Sequence, residues 1–312
     1  MSRPAVDRSL PDRPSADRPA ADPTPAAPAA PTEPEAPVAR PPRTPAKAAR
    51  ASRPAGALLR TAHVLLLPAV LVGVYWAFTA RPDAGFYTPT PDAIASAFAE
   101  LWFSERFFVD VLPSLGRLLT GFALAALIGI GLGVLLGLDA RVRATAEPVL
   151  EFLRAIPPPV LVPLMIMLAG IDDGMKVAVI VFGCVWPILL NTVEGVRAVD
   201  PVLADTARCY GIGGVTRLRV LVLRSASPQI MAGLRLALAL AIILMVISEM
   251  FASSSGLGFA IVQFQRTFAI PEMWAGMVLL GILGFVLSSL FELVEGRVLG
   301  WYRGLRAAHR GE

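Results

Sequence analysis

The chain has 312 residues, of which 55% are hydrophobic and only 17% are charged, and its mean hydropathy is +0.63. A soluble domain normally carries about 25% charged residues, so the composition excludes an ordinary soluble enzyme and indicates a helical membrane protein. The net charge of +4 does not call for nucleic acid as a partner, because basic residues in membrane proteins mark the cytoplasmic side.

Residues 1–55 differ in composition from the rest of the chain. They contain half of its 28 prolines, together with many alanines, arginines and aspartates. Because such a segment cannot bury an apolar core, we predict a disordered, Pro/Ala/Arg-rich cytoplasmic tail. The alternative is an arm that binds lipid or a partner through its arginines. Residues 56–312 are predicted to form one transmembrane domain.

Six apolar segments follow the tail, and each is close to the ~20 residues that cross a bilayer core. They are residues 61–80, 114–138, 149–170, 175–193, 230–252 and 274–293. Six spans place both termini on the same side of the membrane. The predicted fold class is therefore an all-α polytopic membrane protein.

The distribution of basic residues agrees with six spans. The tail before the first span has ten Lys and Arg against six acidic residues, whereas the loop after the fifth span has only Arg266. Five arginines lie in the loop after the fourth span: Arg197, Arg208, Arg217, Arg219 and Arg224. The positive-inside rule therefore predicts that this loop and both termini are cytoplasmic.

Residues 200–224 are predicted to form two short helices joined by a glycine turn. Asp200 suits a helix N-cap and Pro201 the first helical position, while Gly211 suits a left-handed C-terminus. A second short helix is predicted from Val215, with Pro228 restarting the chain before the fifth span. These features fit a membrane-surface anchor with snorkelling arginines as well as a docking element for another protein.

The residue order within this segment resembles the EAA signature of permease subunits of ATP-binding-cassette importers. That signature reads Glu-Ala-Ala, three residues, Gly, and about a dozen residues to Leu-Pro. Here Asp205, Thr206 and Ala207 stand at the Glu-Ala-Ala positions and Gly211 at the glycine. The sequence departs from the signature at Thr206 and at Arg224, which stands where the family has proline.

Further segments resemble the branch of this family that handles nitrate, sulfonate, taurine and bicarbonate, so that the resemblance covers about residues 60–300. They are PSLGRLLTGF (113–122), RAIPPPVLVPL (154–164), WPILLNTVEGVRAVDP (186–201), and GLRLALALAIILMVISEM (233–250) followed by SSGLG (254–258).

The resemblance implies a type I importer permease fold, similar to that of methionine importer permeases, with a cytoplasmic coupling helix. We call residues 200–224, which would contain this helix, the coupling segment. It also implies a non-catalytic subunit without a cofactor, in a bacterial inner membrane. The sequence has no Walker phosphate-binding loop, so ATP hydrolysis is expected from two separate ATPase subunits. The other expected partners are a second permease copy in a homodimer, an extracytoplasmic binding protein and membrane lipid.

Two sets of site residues follow from this interpretation. The candidates for ATPase coupling are Asp205, Thr206, Ala207, Arg208, Tyr210 and Gly211. The candidates for the pathway or its gate are Glu249, Ser255, Gly256 and Pro158, because intramembrane acids and broken helices often line transport pathways. The alternatives are that Glu249 reaches interfacial water or caps the following turn, and that the prolines merely bend a helix at the surface.

Close helix packing is predicted where glycines repeat in the second apolar segment, at Gly129, Gly131, Gly133 and Gly137. The packing could lie within one chain or between two subunits. Elsewhere, Cys184 and Cys209 are interpreted as small packing residues, and the two histidines, His63 and His309, are isolated. This inventory predicts neither a metal site nor a catalytic constellation.

Three functions are compatible with these features to different degrees. The leading one is the permease subunit of an importer for a small anion such as an aliphatic sulfonate, taurine or nitrate, with a vitamin precursor as an alternative substrate. A secondary transporter or channel comes second. It would be expected to show a relay of midplane acids or histidines, and this chain offers little beyond Glu249. A membrane-embedded enzyme comes third, since it would need paired acids or histidine ligands within the spans.

Overall fold

The computed structural model describes residues 54–81, 85–251, 253–302 and 304, and gives side chains from Leu66 onward. All regular structure in these ranges is helical, without strands, and the described residues from Leu58 onward form one compact unit. The predicted tail lies outside the described residues except for its last two. The helices are α1 (Pro54–Thr79), α2 (Pro91–Trp102), α3 (Leu112–Leu138), α4 (Ala140–Arg154), α5 (Leu161–Ala169), α6 (Asp173–Arg197), α7 (Pro201–Cys209), α8 (Gly214–Arg217), α9 (Leu223–Phe251), α10 (Leu257–Arg266) and α11 (Ile270–Val298).

Four helical stretches are long and apolar enough to cross a bilayer, and these include α3, α6, α9 and α11. A fifth arises if α4 and α5 count as one bent span, while the apolar part of α1, Leu66–Thr79, is shorter. The all-α fold class is thus confirmed, and the count of six spans stays a prediction.

Helices α3 and α6 pack closely along a stripe of small residues spaced four apart. A Cβ added to Gly129 would lie 2.9 Å from the Ile188 side chain, and one added to Gly133 would lie 2.5 Å from Thr192. A Cβ added to Gly121 or Gly137 would come equally close to α6, whereas one added to Gly131 would have none of the described atoms beyond its own helix within 4 Å. The predicted packing therefore lies within the chain for three of the four glycines, and a larger side chain in the stripe would force the helices apart.

The central core lies where α9 joins α3 and α6. Its buried side chains include Leu118 of α3, Ile180 and Ile188 of α6, and Leu244 and Met245 of α9. Apolar side chains from all three helices pack together here and exclude solvent. These three helices consequently form the frame from which both candidate sites extend.

The predicted break at the three prolines is confirmed. Helix α4 ends at Arg154, a single turn of 3₁₀-helix spans Pro158–Val160, and the axes of the two flanking segments differ by 68°. Each proline lacks a backbone N–H and fixes its own φ, so a straight helix cannot continue through them.

The prediction that Pro228 restarts the chain is wrong. The helix runs without interruption from Gly214 to Phe251, through α8, a π-helical turn at Leu218–Val222 and α9. Proline leaves the carbonyl of Arg224 without its usual helical donor, and the Ser227 hydroxyl donates to that carbonyl at 2.8 Å. This local hydrogen bond compensates for the missing one, so the proline is accommodated inside the helix.

Candidate functional site

The start of the coupling segment has the predicted geometry. The Asp200 carboxylate accepts a hydrogen bond from the backbone N–H of Val202 at 2.8 Å, and Pro201 occupies the first turn of α7. The carboxylate satisfies one of the N–H groups that have no partner at a helix N-terminus. The predicted N-cap is therefore confirmed.

The end of α7 is fixed by Gly211, which has a φ of 67°. The N–H of Ile212 donates to the Ala207 carbonyl at 2.8 Å, and the N–H of Gly211 donates to the Arg208 carbonyl at 3.0 Å. These two bonds define a Schellman motif, whose left-handed residue is usually glycine because a Cβ is disfavoured there. The signature glycine thus sets the direction in which the chain leaves α7.

The residues predicted to form the docking element differ in exposure. Ala207 is buried at 7% exposure, whereas Tyr210 is 80% and Leu203 50% exposed. Asp205 and Arg208 form an exposed ion pair at 2.8 Å. Ala207 is therefore the buried residue of α7, and the helix presents apolar and charged side chains to the outside.

The two departures from the family signature have local explanations. The Thr206 hydroxyl donates to the Val202 carbonyl one turn earlier, at 2.7 Å, so it needs no hydrogen-bond acceptor outside α7. The Arg224 guanidinium lies over the Trp301 ring, 5.3 Å from its centroid, which is a cation–π distance. Arg224 therefore joins α9 to the chain after α11, a contact that proline could not make.

At the opposite end of α9, Glu249 is fully buried. Its carboxylate accepts hydrogen bonds from Arg117 Nη1 at 2.7 Å, from the Ser114 hydroxyl at 2.7 Å, and from the Gly258 N–H at 3.0 Å. A buried carboxylate is tolerated only when it is paired and hydrogen-bonded. Three donors from α3 and α10 meet that requirement.

The same cluster holds the turn that follows α9. Arg117 Nη1 donates to the Ser255 carbonyl at 3.1 Å, and the Gly256 N–H donates to Asp110 at 3.1 Å. Gly256 has a φ of 121°, and a Cβ on it would lie 2.5 Å from the Glu249 carboxyl carbon. Only glycine fits this position. We call Asp110, Ser114, Arg117, Glu249 and the turn 253–258 the Glu249 cluster.

Of the four residues predicted for the pathway, three come together in this cluster, and Pro158 lies apart from it, beside Gly183 of α6. Glu249 caps the turn after α9, which is one of the roles the sequence left open. A pathway or gate role for these residues stays a prediction.

Sequence reasoning missed Arg117, Ser114 and Asp110 as members of the cluster. Arg117 is only 6% exposed and also contacts Asp173 at 2.8 Å. The available signal was an arginine inside an apolar segment, which requires a buried acid as its partner.

The expectation that both cysteines are packing residues is correct only for Cys184, which is buried. Cys209, the last residue of α7, is exposed. The described residues contain no group of His, Cys, Asp and Glu side chains able to hold a metal ion.

Known proteins of one transporter family are similar to this chain. Residues 125–300 match the family described as "Binding-protein-dependent transport system inner membrane component". A permease protein assigned to aliphatic sulfonate transport, SsuC of Bacillus subtilis, is 31% identical over 76% of this chain and 86% of its own length. The taurine transport system permease protein TauC of Escherichia coli is 27% identical over 75% and 87%, respectively.

A bicarbonate transport system permease protein, CmpB of Synechococcus elongatus, is 33% identical over 62% of this chain and 70% of its own length. Among solved structures, a chain of the inward-facing MetNI methionine transporter superposes with a TM-score of 0.53 at 20% identity, covering 61% of this chain and 94% of the other. That likeness confirms the importer-permease fold. The chain is therefore a multi-pass membrane protein that belongs to the family of binding-protein-dependent transport system inner membrane components, the permease components of ATP-binding-cassette transporters.

Proposed function

We propose that this chain is the permease subunit of an importer for a small anion, driven by separate ATPase subunits that bind the coupling segment on the cytoplasmic side. The observation that carries the proposal is α7, a short helix capped at both ends, in which Ala207 is buried, Ala204 is half-buried and the other side chains are exposed. In this proposal the chain lies in the cytoplasmic membrane with both termini inside.

The exposed surface of α7 suits a protein partner. Val202 and Tyr210 are 70% and 80% exposed, and Val215 beyond the turn is 70% exposed. Large apolar side chains grouped on one projecting element are typical of contact surfaces. The capped ends resist fraying, so a push on this helix moves it as a rigid body.

A polar face formed by α9 and α11 supports the presence of either a transport pathway or a second permease copy beside these two helices. Arg235 lies within a spanning helix, is 57% exposed and pairs with Glu295 of α11. Ser288, Ser289 and Glu292 line the adjacent cavity of about 320 Å³. Since charged side chains in a span avoid lipid, we propose that this face lines water or contacts a second copy in a homodimer.

The substrate class follows from the relatives. Their names refer to aliphatic sulfonates, taurine and bicarbonate, which share small size and anionic oxygens. We propose a small sulfonate as the substrate, delivered by an extracytoplasmic binding protein, and keep a vitamin precursor as the alternative.

The test replaces the left-handed glycine in the assembled importer. Gly211→Val puts a β-branched residue at a φ of 67°, where such residues are strongly disfavoured. The matched control is Gly213→Val, because Gly213 has an extended φ of −125° and no neighbour within 4 Å of an added Cβ. Both variants are reconstituted with the ATPase and the binding protein in nanodiscs, and vanadate-sensitive ATP hydrolysis is measured with and without substrate.

We expect Gly211→Val to lose substrate-stimulated hydrolysis by about tenfold, which corresponds to the ~1–2 kcal/mol of a misplaced left-handed residue, while Gly213→Val stays close to wild type. Full stimulation of a folded Gly211→Val variant would refute the coupling role. Uptake that continues in cells depleted of ATP but holding a proton gradient would instead establish the secondary transporter.

A further inference from the structure

A basic pocket lies between α7 and the ends of α3 and α6. Its volume is about 340 Å³, and it is lined by Arg143 of α4, Arg197 of α6 and Arg217 of α8, together with Leu138, Val199 and Val222. We call it the arginine pocket. Among the described residues, three arginines and no carboxylate line this cavity.

The charges in the pocket are only partly compensated. Arg197 pairs with Glu194 at 2.9 Å, and Arg143 Nη1 donates to the Leu136 carbonyl at 3.2 Å. The Nε of Arg217 is buried and has no hydrogen-bond partner among the described residues. Arg217 also has no carboxylate partner among the described residues. A guanidinium without a counter-charge in a partly buried position is costly, so an anion with several acceptor oxygens in the cavity would stabilise Arg217.

The position of the pocket indicates where that anion comes from. The long apolar stretches Phe107–Leu138 and Asp173–Arg197 end at it, and Gly214–Phe251 begins beside it. This is the level of the lipid headgroups, and the apolar walls formed by Leu138, Val199 and Val222 suit the glycerol and the first acyl carbons. Basic pockets between spans on the cytoplasmic side bind anionic headgroups.

We propose that the arginine pocket binds the phosphate of an anionic phospholipid, such as phosphatidylglycerol. Ala204 of α7 also lines the pocket, so a bound headgroup supports the coupling segment from behind. The phosphate oxygens accept hydrogen bonds from Arg217 and Arg143, as a guanidinium and a phosphate commonly do.

The test measures lipid retention by the full-length protein. Delipidated protein in detergent is mixed with phosphatidylglycerol or phosphatidylcholine, and bound lipid is counted by native mass spectrometry. Arg217→Gln is compared with Arg219→Gln, which removes the same charge from an exposed neighbour outside the pocket. Ala204→Leu narrows the pocket without changing any charge, so it tests the site even if Arg217→Gln is unstable.

We expect the wild type and Arg219→Gln to retain phosphatidylglycerol in preference to phosphatidylcholine. Arg217→Gln should lose about fivefold in affinity, the value of one arginine beside an anionic headgroup, and Ala204→Leu should also lose affinity. Equal retention by Arg217→Gln and Arg219→Gln would overturn the proposal. Displacement of the lipid by excess glycerol 3-phosphate, with equal thermal stabilisation, would also overturn it, in favour of a soluble phosphate compound.

Discussion

Removing Arg117 should destabilise the protein more than removing any exposed arginine. In Arg117→Met, the Glu249 carboxylate remains fully buried and keeps its bonds from Ser114 and Gly258, but it loses its positive partner. Breaking a buried pair in this way costs about 3–5 kcal/mol, because the remaining charge is uncompensated. For a domain of this size the loss lowers the Tm by roughly 6–20 °C.

The double variant Arg117→Met/Glu249→Gln separates the effect of the unpaired charge from that of lost packing. Glutamine retains an acceptor oxygen for Ser114 and Gly258 but carries no charge, so the double variant should be at least about 2 kcal/mol more stable than Arg117→Met alone. Such a recovery identifies the unpaired charge, rather than lost packing, as the cause of the destabilisation.

The assay is thermal unfolding in detergent, followed by tryptophan fluorescence. Arg154→Met is the matched control, since Arg154 is 46% exposed and pairs with the equally exposed Glu151; it should cost less than about 1 kcal/mol. The role assigned to the unpaired charge is refuted if Arg117→Met costs no more than this control, or if the double variant is no more stable than Arg117→Met.

Two further predictions concern helix packing and capping. Gly133→Leu should push α6 away at Thr192 and cost about 3 kcal/mol or more, whereas Gly131→Leu, with open space around it, should cost almost nothing; thermal unfolding of the two variants decides, and equal Tm values would contradict the packing. Asp200→Ala should remove the cap of α7 and cost about 1 kcal/mol, whereas Asp172→Ala at the start of α6, where the side chain makes no cap bond, should cost little. Hydrogen exchange of the first-turn amides measures this difference, and equal exchange in the two variants would show that the cap is not stabilising.

Local features of the fold could be predicted from the sequence. The cap at Asp200, the left-handed Gly211 and the break at Pro158 depend on neighbouring residues only. The error at Pro228 came from treating proline as a helix breaker, without considering that the Ser227 hydroxyl could bond the carbonyl left free. Helices α2 and α10 were not predicted because they are short and amphipathic and lie between spans.

Long-range features could be predicted only in outline. The glycine repeat indicated close packing, but whether its partner lay in the same chain depended on the placement of α6. Arg117 and Glu249 are 132 residues apart, and nothing local to either residue identifies the other. The docking and pathway roles depend on partners outside this chain, and so they stay proposals.

The uninterrupted helix from Gly214 to Phe251 has a mechanical consequence. Its 38 residues extend about 57 Å at 1.5 Å per residue, from the glycine turn after α7 to the carboxylate of Glu249. Under the proposed function, the ATPase displaces the Gly214 end of this stiff helix. At the other end, the Glu249 carboxylate is hydrogen-bonded to the turn 253–258. ATP binding on one side of the membrane would then move the turn 253–258 on the other side through one continuous helical backbone. No chain of side-chain contacts would be needed to transmit that movement.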